Sequence, residues 1–222
     1  MPGASPGTTY YYALVARNPV GPSPASAEVS ARPPSVPAQP TLSATAGVGK
    51  VDLSWTAPAD GGSQLTGYTL LRGTISGQLS SYQTLGLVTA YSDTAVTPGT
   101  TYYYALVARN AVGPSPASAE VSARPPSVPT APQNVTAQPH QTRGVVLNWS
   151  APASNGGSAI TGYRIYRATS SGAETLLTSV SASTVTYRDT STTRGVRYYY
   201  IIRAVNAVGV GALSSEVSAI AR

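Results

Sequence analysis

PGTTYYYALVARNPVGPSPASAEVSARPPSVP at residues 6–37 stands again at residues 98–129 with one change, Pro19 against Ala111. A near-verbatim tandem copy means that the structural unit is shorter than the chain. Working outward, a more divergent third copy, GVRYYYIIRAVNAVGVGALSSEVSAIAR, occupies residues 195–222. The stretches upstream of the second and third copies also correspond, LSWTAPADGGSQLTGYTLLR at 53–72 with LNWSAPASNGGSAITGYRIYR at 147–167. Two whole units are thereby delimited, residues 38–124 and 131–222. Residues 1–34 read as the C-terminal half of a truncated unit plus a linker.

Within TYYYALVARN the side chains alternate across a strand. Tyr102, Tyr104, Leu106 and Ala108 share one face, and Tyr103, Ala105, Val107 and Arg109 the other, with Arg109 marking the solvent side. The same phase turns Tyr198, Tyr200, Ile202 and Ala204 inward and Tyr199, Ile201, Arg203 and Val205 outward. Val51, Leu53 and Trp55, and Val145, Leu147 and Trp149, alternate with polar neighbours in the same way. Strands wet on one face only are antiparallel strands packed on a core. Short strands separated by turns such as Asp60-Gly61-Gly62 and Asn155-Gly156-Gly157 make a two-layer sandwich, so the predicted fold class is all-β.

Composition agrees. The 222 residues include no Phe, one Met and two Trp but 15 Tyr, so tyrosine carries the aromatic packing, while 21 Gly and 19 Pro supply turns and exclude long helices. The absence of Cys removes disulfides, thiolate nucleophiles and zinc-thiolate sites at once. No apolar run reaches the roughly 18 residues that span a bilayer, so membrane insertion is not expected. The opening MPGASPGTTYYY has neither the charged head nor the apolar stretch of a signal peptide, and the chain reads as a fragment. The net charge of +6 is spread rather than gathered in a stripe, which argues against nucleic acid. Pro33, Pro34 and Pro37, then Pro125, Pro126, Pro129 and Pro132, punctuate the joints between units. Such linkers are extended and semi-rigid, and the expectation is a rod with limited bending.

Read in order, these residues resemble the fibronectin type III module. The resemblance covers both full copies. It rests on the Pro-rich start, the strand ending at Trp55 or Trp149, the Ala-Pro and Gly-Gly turn, Gly67-Tyr68 or Gly162-Tyr163, Tyr91 with Asp93 or Tyr187 with Asp189, Pro98-Gly99-Thr100 before Tyr102, and Asn110 with Gly113. The last copy departs at Arg194-Gly195-Val196. The resemblance implies tandem immunoglobulin-like antiparallel β-sandwiches. It places Trp55, Tyr68, Tyr102, Tyr104, Leu106, Trp149, Tyr163, Tyr198, Tyr200 and Ile202 in the cores. It also makes Tyr102 and Tyr198 the corner residues that tie a loop to the sheet.

No constellation for chemistry emerges, and no cofactor or metal is expected. His140 is the only histidine and has no acid near it in sequence. Glu28, Glu120 and Glu216 share one repeat position, and Asp93 and Asp189 another, and repetition of this kind points to scaffolding. Asn134 and Asn148 fit the glycosylation sequon, and no Arg-Gly-Asp is present. The outward Tyr103, Val107, Arg109, Tyr199 and Arg203 form a candidate binding surface for a polysaccharide or protein. The leading expectation is a non-catalytic extracellular or cell-surface spacer whose partners are the neighbouring domains of a parent polypeptide, the placement being implied by the resemblance. The leading half unit has apolar strand faces without cover, and is expected to fray or to associate with another chain.

Overall fold

The computed structural model describes residues 3–222, and the described residues form strands and turns with no helix. They cluster into two compact units.

The leading segment carries β1 (Tyr10–Tyr12), β2 (Arg17–Asn18), β3 (Gly21–Pro22) and β4 (Val29–Ala31). β1 pairs antiparallel with β4, Tyr11 opposite Ser30, and β2 with β3. This leading segment is a hydrogen-bonded hairpin whose apolar side chains stay exposed, Leu14 and Val20 among them.

Seven strands follow: β5 (Thr41–Gly47), β6 (Lys50–Thr56), β7 (Leu65–Gly73), β8 (Ser80–Leu85), β9 (Ala90–Asp93), β10 (Tyr102–Asn110) and β11 (Val121–Ala123). They form a three-stranded sheet, β5-β6-β9, and a four-stranded sheet, β11-β10-β7-β8. The pattern repeats in β12 (Gln133–Pro139), β13 (Val145–Ser150), β14 (Ile160–Ala168), β15 (Thr175–Ser181), β16 (Thr186–Asp189), β17 (Arg197–Asn206) and β18 (Val217–Ile220). There the sheets are β12-β13-β16 and β15-β14-β17-β18.

Alternation explains why the layers face each other. β6 buries Val51, Leu53 and Trp55, and β10 buries Tyr102, Tyr104, Leu106 and Ala108. One indole joins the two sheets of each sandwich. Trp55 on β6 meets Tyr68 on β7 edge to face at 5.5 Å, and Trp149 on β13 meets Tyr163 on β14 at 5.5 Å. In the last sandwich Val145, Leu147, Trp149, Tyr163, Ile165, Tyr198, Tyr200 and Ile202 form one core. Ala105 departs from the alternation: on the outward phase of β10, it is nevertheless buried. A central strand flanked by β7 and β11 gives a methyl group no height above its neighbours. β12 carries a second irregularity, a register shift between Gln133 and Thr136 with Asn134 at φ 52°. Asn is among the few residues that accept this backbone, and the shift is a bulge on an edge strand.

Candidate functional site

The candidate binding residues lie on the outer faces of β10 in one unit and β17 in the other. Tyr103 is half-buried opposite Gly73 on one side and Ser122 on the other, and Tyr199 opposite Ala168 and Ser218. An aromatic ring lying over such small neighbours covers bare backbone. Val107 is half-buried opposite Thr69. Arg109 donates through Nε to Thr69 Oγ1 at 2.9 Å, and Arg203 through Nε to the Gly211 carbonyl at 2.7 Å. His140 accepts from the Thr142 amide at 3.2 Å in the turn after β12. Among the described residues no three His, Asp or Glu side chains gather as metal ligands.

The most strongly perturbed groups are inside the sandwiches. Asp93, fully buried, accepts from Arg72 at 2.8 Å, the Tyr104 hydroxyl at 2.9 Å and the Tyr82 hydroxyl at 3.0 Å. Asp189 accepts from Arg167 at 2.7 Å, the Tyr200 hydroxyl at 2.9 Å and the Ser191 hydroxyl at 2.8 Å. The arginines also lie near tyrosine rings, Arg72 3.6 Å from the Tyr82 ring and Arg167 5.0 Å from that of Tyr198. Burial works to raise both carboxyl pKa values. The guanidinium and hydroxyl hydrogen bonds outweigh it and hold both below the usual carboxylate range. Tyr104 and Tyr200 are pushed far above an ordinary phenol by burial and the adjacent carboxylate, and Tyr82 up to about 12 by the same causes. A buried carboxylate held by an arginine and hydroxyls of its own module is a fastening. Arg72 and Arg167 were not singled out from sequence, although the alternation that turns Tyr68 and Leu70 inward carries Arg72 to the same face.

A second recurring arrangement sits where each linker enters a sandwich. Asn110, at the end of β10, donates from Nδ2 to the carbonyls of Ser35 and Asp60, both at 2.8 Å. Its Oδ1 accepts from the amides of Val112 at 2.9 Å and Gly113 at 3.0 Å. Asn206 repeats this at the end of β17, with Ser127 and Asn155 carbonyls both at 2.8 Å and the amides of Val208 and Gly209 at 2.9 and 3.1 Å. One buried amide, using donors and acceptor alike, ties three segments together: the linker, the Gly-Gly turn and the turn after the long strand. The linker serine closes the ring, its amide donating to Gly61 at 2.9 Å in one case and to Gly156 at 2.7 Å in the other. Both glycines have positive φ, 70° and 73°, and a Cβ on either would overlap the serine carbonyl.

The preceding linker residues are held too. The Gly7 amide donates to the Pro33 carbonyl at 2.8 Å and Arg32 Nε to the Gly7 carbonyl at 2.8 Å. Gly99 and Arg124 do the same at 2.8 and 2.7 Å, with Pro125 as the acceptor for Gly99. Pro33 and Ser35 are therefore both fastened, and only Pro34 lies between them. Asn110 and Gly113 belong to the sequence pattern of the family without a role legible from the pattern alone. The signal for one was present, since Asn18, Asn110 and Asn206 each precede a glycine by three residues, at Gly21, Gly113 and Gly209.

The corner tyrosine is visible where Tyr198 accepts from the Thr193 amide at 3.0 Å, and Tyr10 from that of Ser5 at 2.7 Å. Comparison with known proteins agrees with this architecture. The fibronectin type III domain matches residues 35–124 and 130–220. Exoglucanase B of Cellulomonas fimi is 36% identical over 83% of the chain, which spans 17% of that protein. Endoglucanase B of Cellulomonas fimi is 33% identical over 96% of the chain, which spans 21% of it. Titin of Drosophila melanogaster is 31% identical over 91% of the chain, which spans 1% of its length. With two matched modules, their paired sheets and these relatives together, the chain belongs to the fibronectin type III family.

Proposed function

We propose that the chain is a non-catalytic spacer that separates other domains of a larger protein placed outside the cell. The observation that carries this is the linker clasp, in which Asn110 grips Ser35 and Asn206 grips Ser127. A tether that only joins two domains needs no fixed path, whereas a spacer must resist collapse of its joints, and fastened prolines supply that resistance. The two relatives named as glucanases fit the reading, because this chain corresponds to a minor part of each protein, which leaves the rest of each to other domains. The test is Asn206→Ala followed by amide hydrogen exchange. Exchange at Ser127 is expected to accelerate at least tenfold while Tyr200 and Ile202 in the core stay protected. An unchanged rate at Ser127 counts against the clasp.

A narrower reading, recognition of an acidic polysaccharide, draws on one pair. Arg164 stands directly opposite Arg203 across β14 and β17, and like charges so placed repel. A polyanion laid over that face would relieve the repulsion. Retention of the chain on immobilised heparin at low salt, lost at high salt and in Arg164→Ala, supports it; retention unaffected by Arg164→Ala or absent at low salt removes it.

A further inference from the structure

Charge that reads as scattered along the chain is unevenly divided between the two sandwiches. Residues 131–222 hold eight arginines against three acids, whereas residues 38–124 hold four basic and four acidic residues. The difference is local. TYRDTSTTRGVRYYY at 186–200 corresponds without a gap to AYSDTAVTPGTTYYY at 90–104, so Arg188, Arg194 and Arg197 stand where the other copy has Ser92, Pro98 and Thr101. Relative to the tryptophans, Arg143 takes the place of Gly49.

The fold brings these positions to one end of the last sandwich. Arg188 donates from Nε and Nη2 to the Arg143 carbonyl, at 3.2 and 3.0 Å, and from Nη2 to Thr142 Oγ1 at 3.0 Å. The β12–β13 turn is pressed against the end of β16, where a Cβ on Gly144, at φ 95°, would overlap the Asp189 carbonyl. The Gly144 amide donates to the Arg222 carbonyl at 3.0 Å and the Gly195 amide to the Ala221 carbonyl at 2.9 Å, which continues the cluster to Arg194. Arg143, Arg188 and Arg194 are exposed, and no hydrogen bond from the Arg143 or Arg194 side chain falls on a described residue. The acids of the module are engaged elsewhere, Asp189 with Arg167, and Glu174 and Glu216 with the Gly172 amide in the turn between β14 and β15.

We propose that this end of the last sandwich binds a ligand carrying adjacent phosphate groups. Residues that build the module recur in both copies, as Asp93 and Asp189 do, and Arg72 and Arg167 with them, while the arginines of this cluster occur in one copy only. Guanidiniums gathered from the β12–β13 turn, the end of β16 and the loop before β17 repel one another until an anion lies between them. A phosphate offers three oxygens to three such donors, where a planar carboxylate offers two. The site uses neither Arg164 nor Arg203 and does not rest on the reading given for that face.

The test titrates the full chain with inorganic tripolyphosphate at low salt and reads amide chemical shifts. Saturable shifts are expected at Thr142, Arg143, Arg188 and Arg194, fading as salt rises, with none at Gly49 or Ser92. Arg188→Ser combined with Arg194→Pro returns two positions to the residues of the other copy. It is expected to weaken binding roughly tenfold or more, while exchange of the Tyr198–Ile202 amides stays as slow as in the parent chain. Should that slow exchange be lost, Arg143→Gly replaces the double variant, with a loss of about threefold expected. Arg164→Ala is expected to leave the titration unchanged. Shifts that fail to saturate, that appear equally in both modules, or that survive the arginine substitutions overturn the site, and so does their loss in Arg164→Ala, which would place the anion on the other face. Citrate, a tricarboxylate, is expected to bind about fivefold more weakly or less, and equal affinity overturns the assignment to phosphate.

Discussion

Asp189 shows how much of a small sandwich hangs on single side chains. Its carboxylate has no exposed surface and is matched by one guanidinium and two hydroxyls, so removing the charge leaves Arg167 facing a neutral amide. Breaking one side of a buried pair costs about 3 kcal/mol or more, a large share of the usual 5 to 15 kcal/mol stability of a domain. Asp189→Asn is expected to lower the urea midpoint of its module accordingly; an unchanged midpoint contradicts the fastening role. The same groups set the pH window. Because the folded Asp93 and Asp189 carboxyls lie below their unfolded value near 4, their contribution is complete above that pH and is lost as pH falls through the folded value. Tyr82, Tyr104 and Tyr200 are raised, so their contribution is complete below about pH 10 and is lost as pH climbs through their folded values. Denaturant midpoints should therefore fall at both extremes, and Asp189→Asn should remove much of the acid limb for its module.

At the scale of elements, the strands were legible because each carries its burial in a period of two. Lys50–Thr56 and Tyr102–Asn110 alternate so regularly that both face and partner layer followed from the residues. Alternation gives direction but not depth. Ala105 sits on the outward phase and is buried beside Leu71, and Tyr103 and Val107 are half-buried on the same face, because a central strand has neighbours on both sides. The linker clasp was out of reach for a different reason. Its bonds join positions 75 residues apart in Asn110 to Ser35 and 79 apart in Asn206 to Ser127. No local pattern announces a contact of that span, although the Asn-x-x-Gly spacing in every copy marks the acceptor half of it. The partners of Asp93 and Asp189 were hidden likewise, since Arg72 lies on a strand read for its apolar residues.

For the whole molecule, the duplication decides more than any single site. Two complete sandwiches each hold their own core, their own buried ion pair and their own grip on the linker that precedes them. The device that recurs in both is the grip of an asparagine on the preceding linker, Asn110 on Ser35 and Asn206 on Ser127. All of it depends on each module closing around one indole, and Trp55 and Trp149 are 6% and 4% exposed. Acrylamide quenching of tryptophan fluorescence tests this most directly. The native chain is expected to be quenched several-fold less than the chain in denaturant, with one population of shielded indoles; native quenching as strong as the denatured value would contradict the fold on which every other conclusion stands.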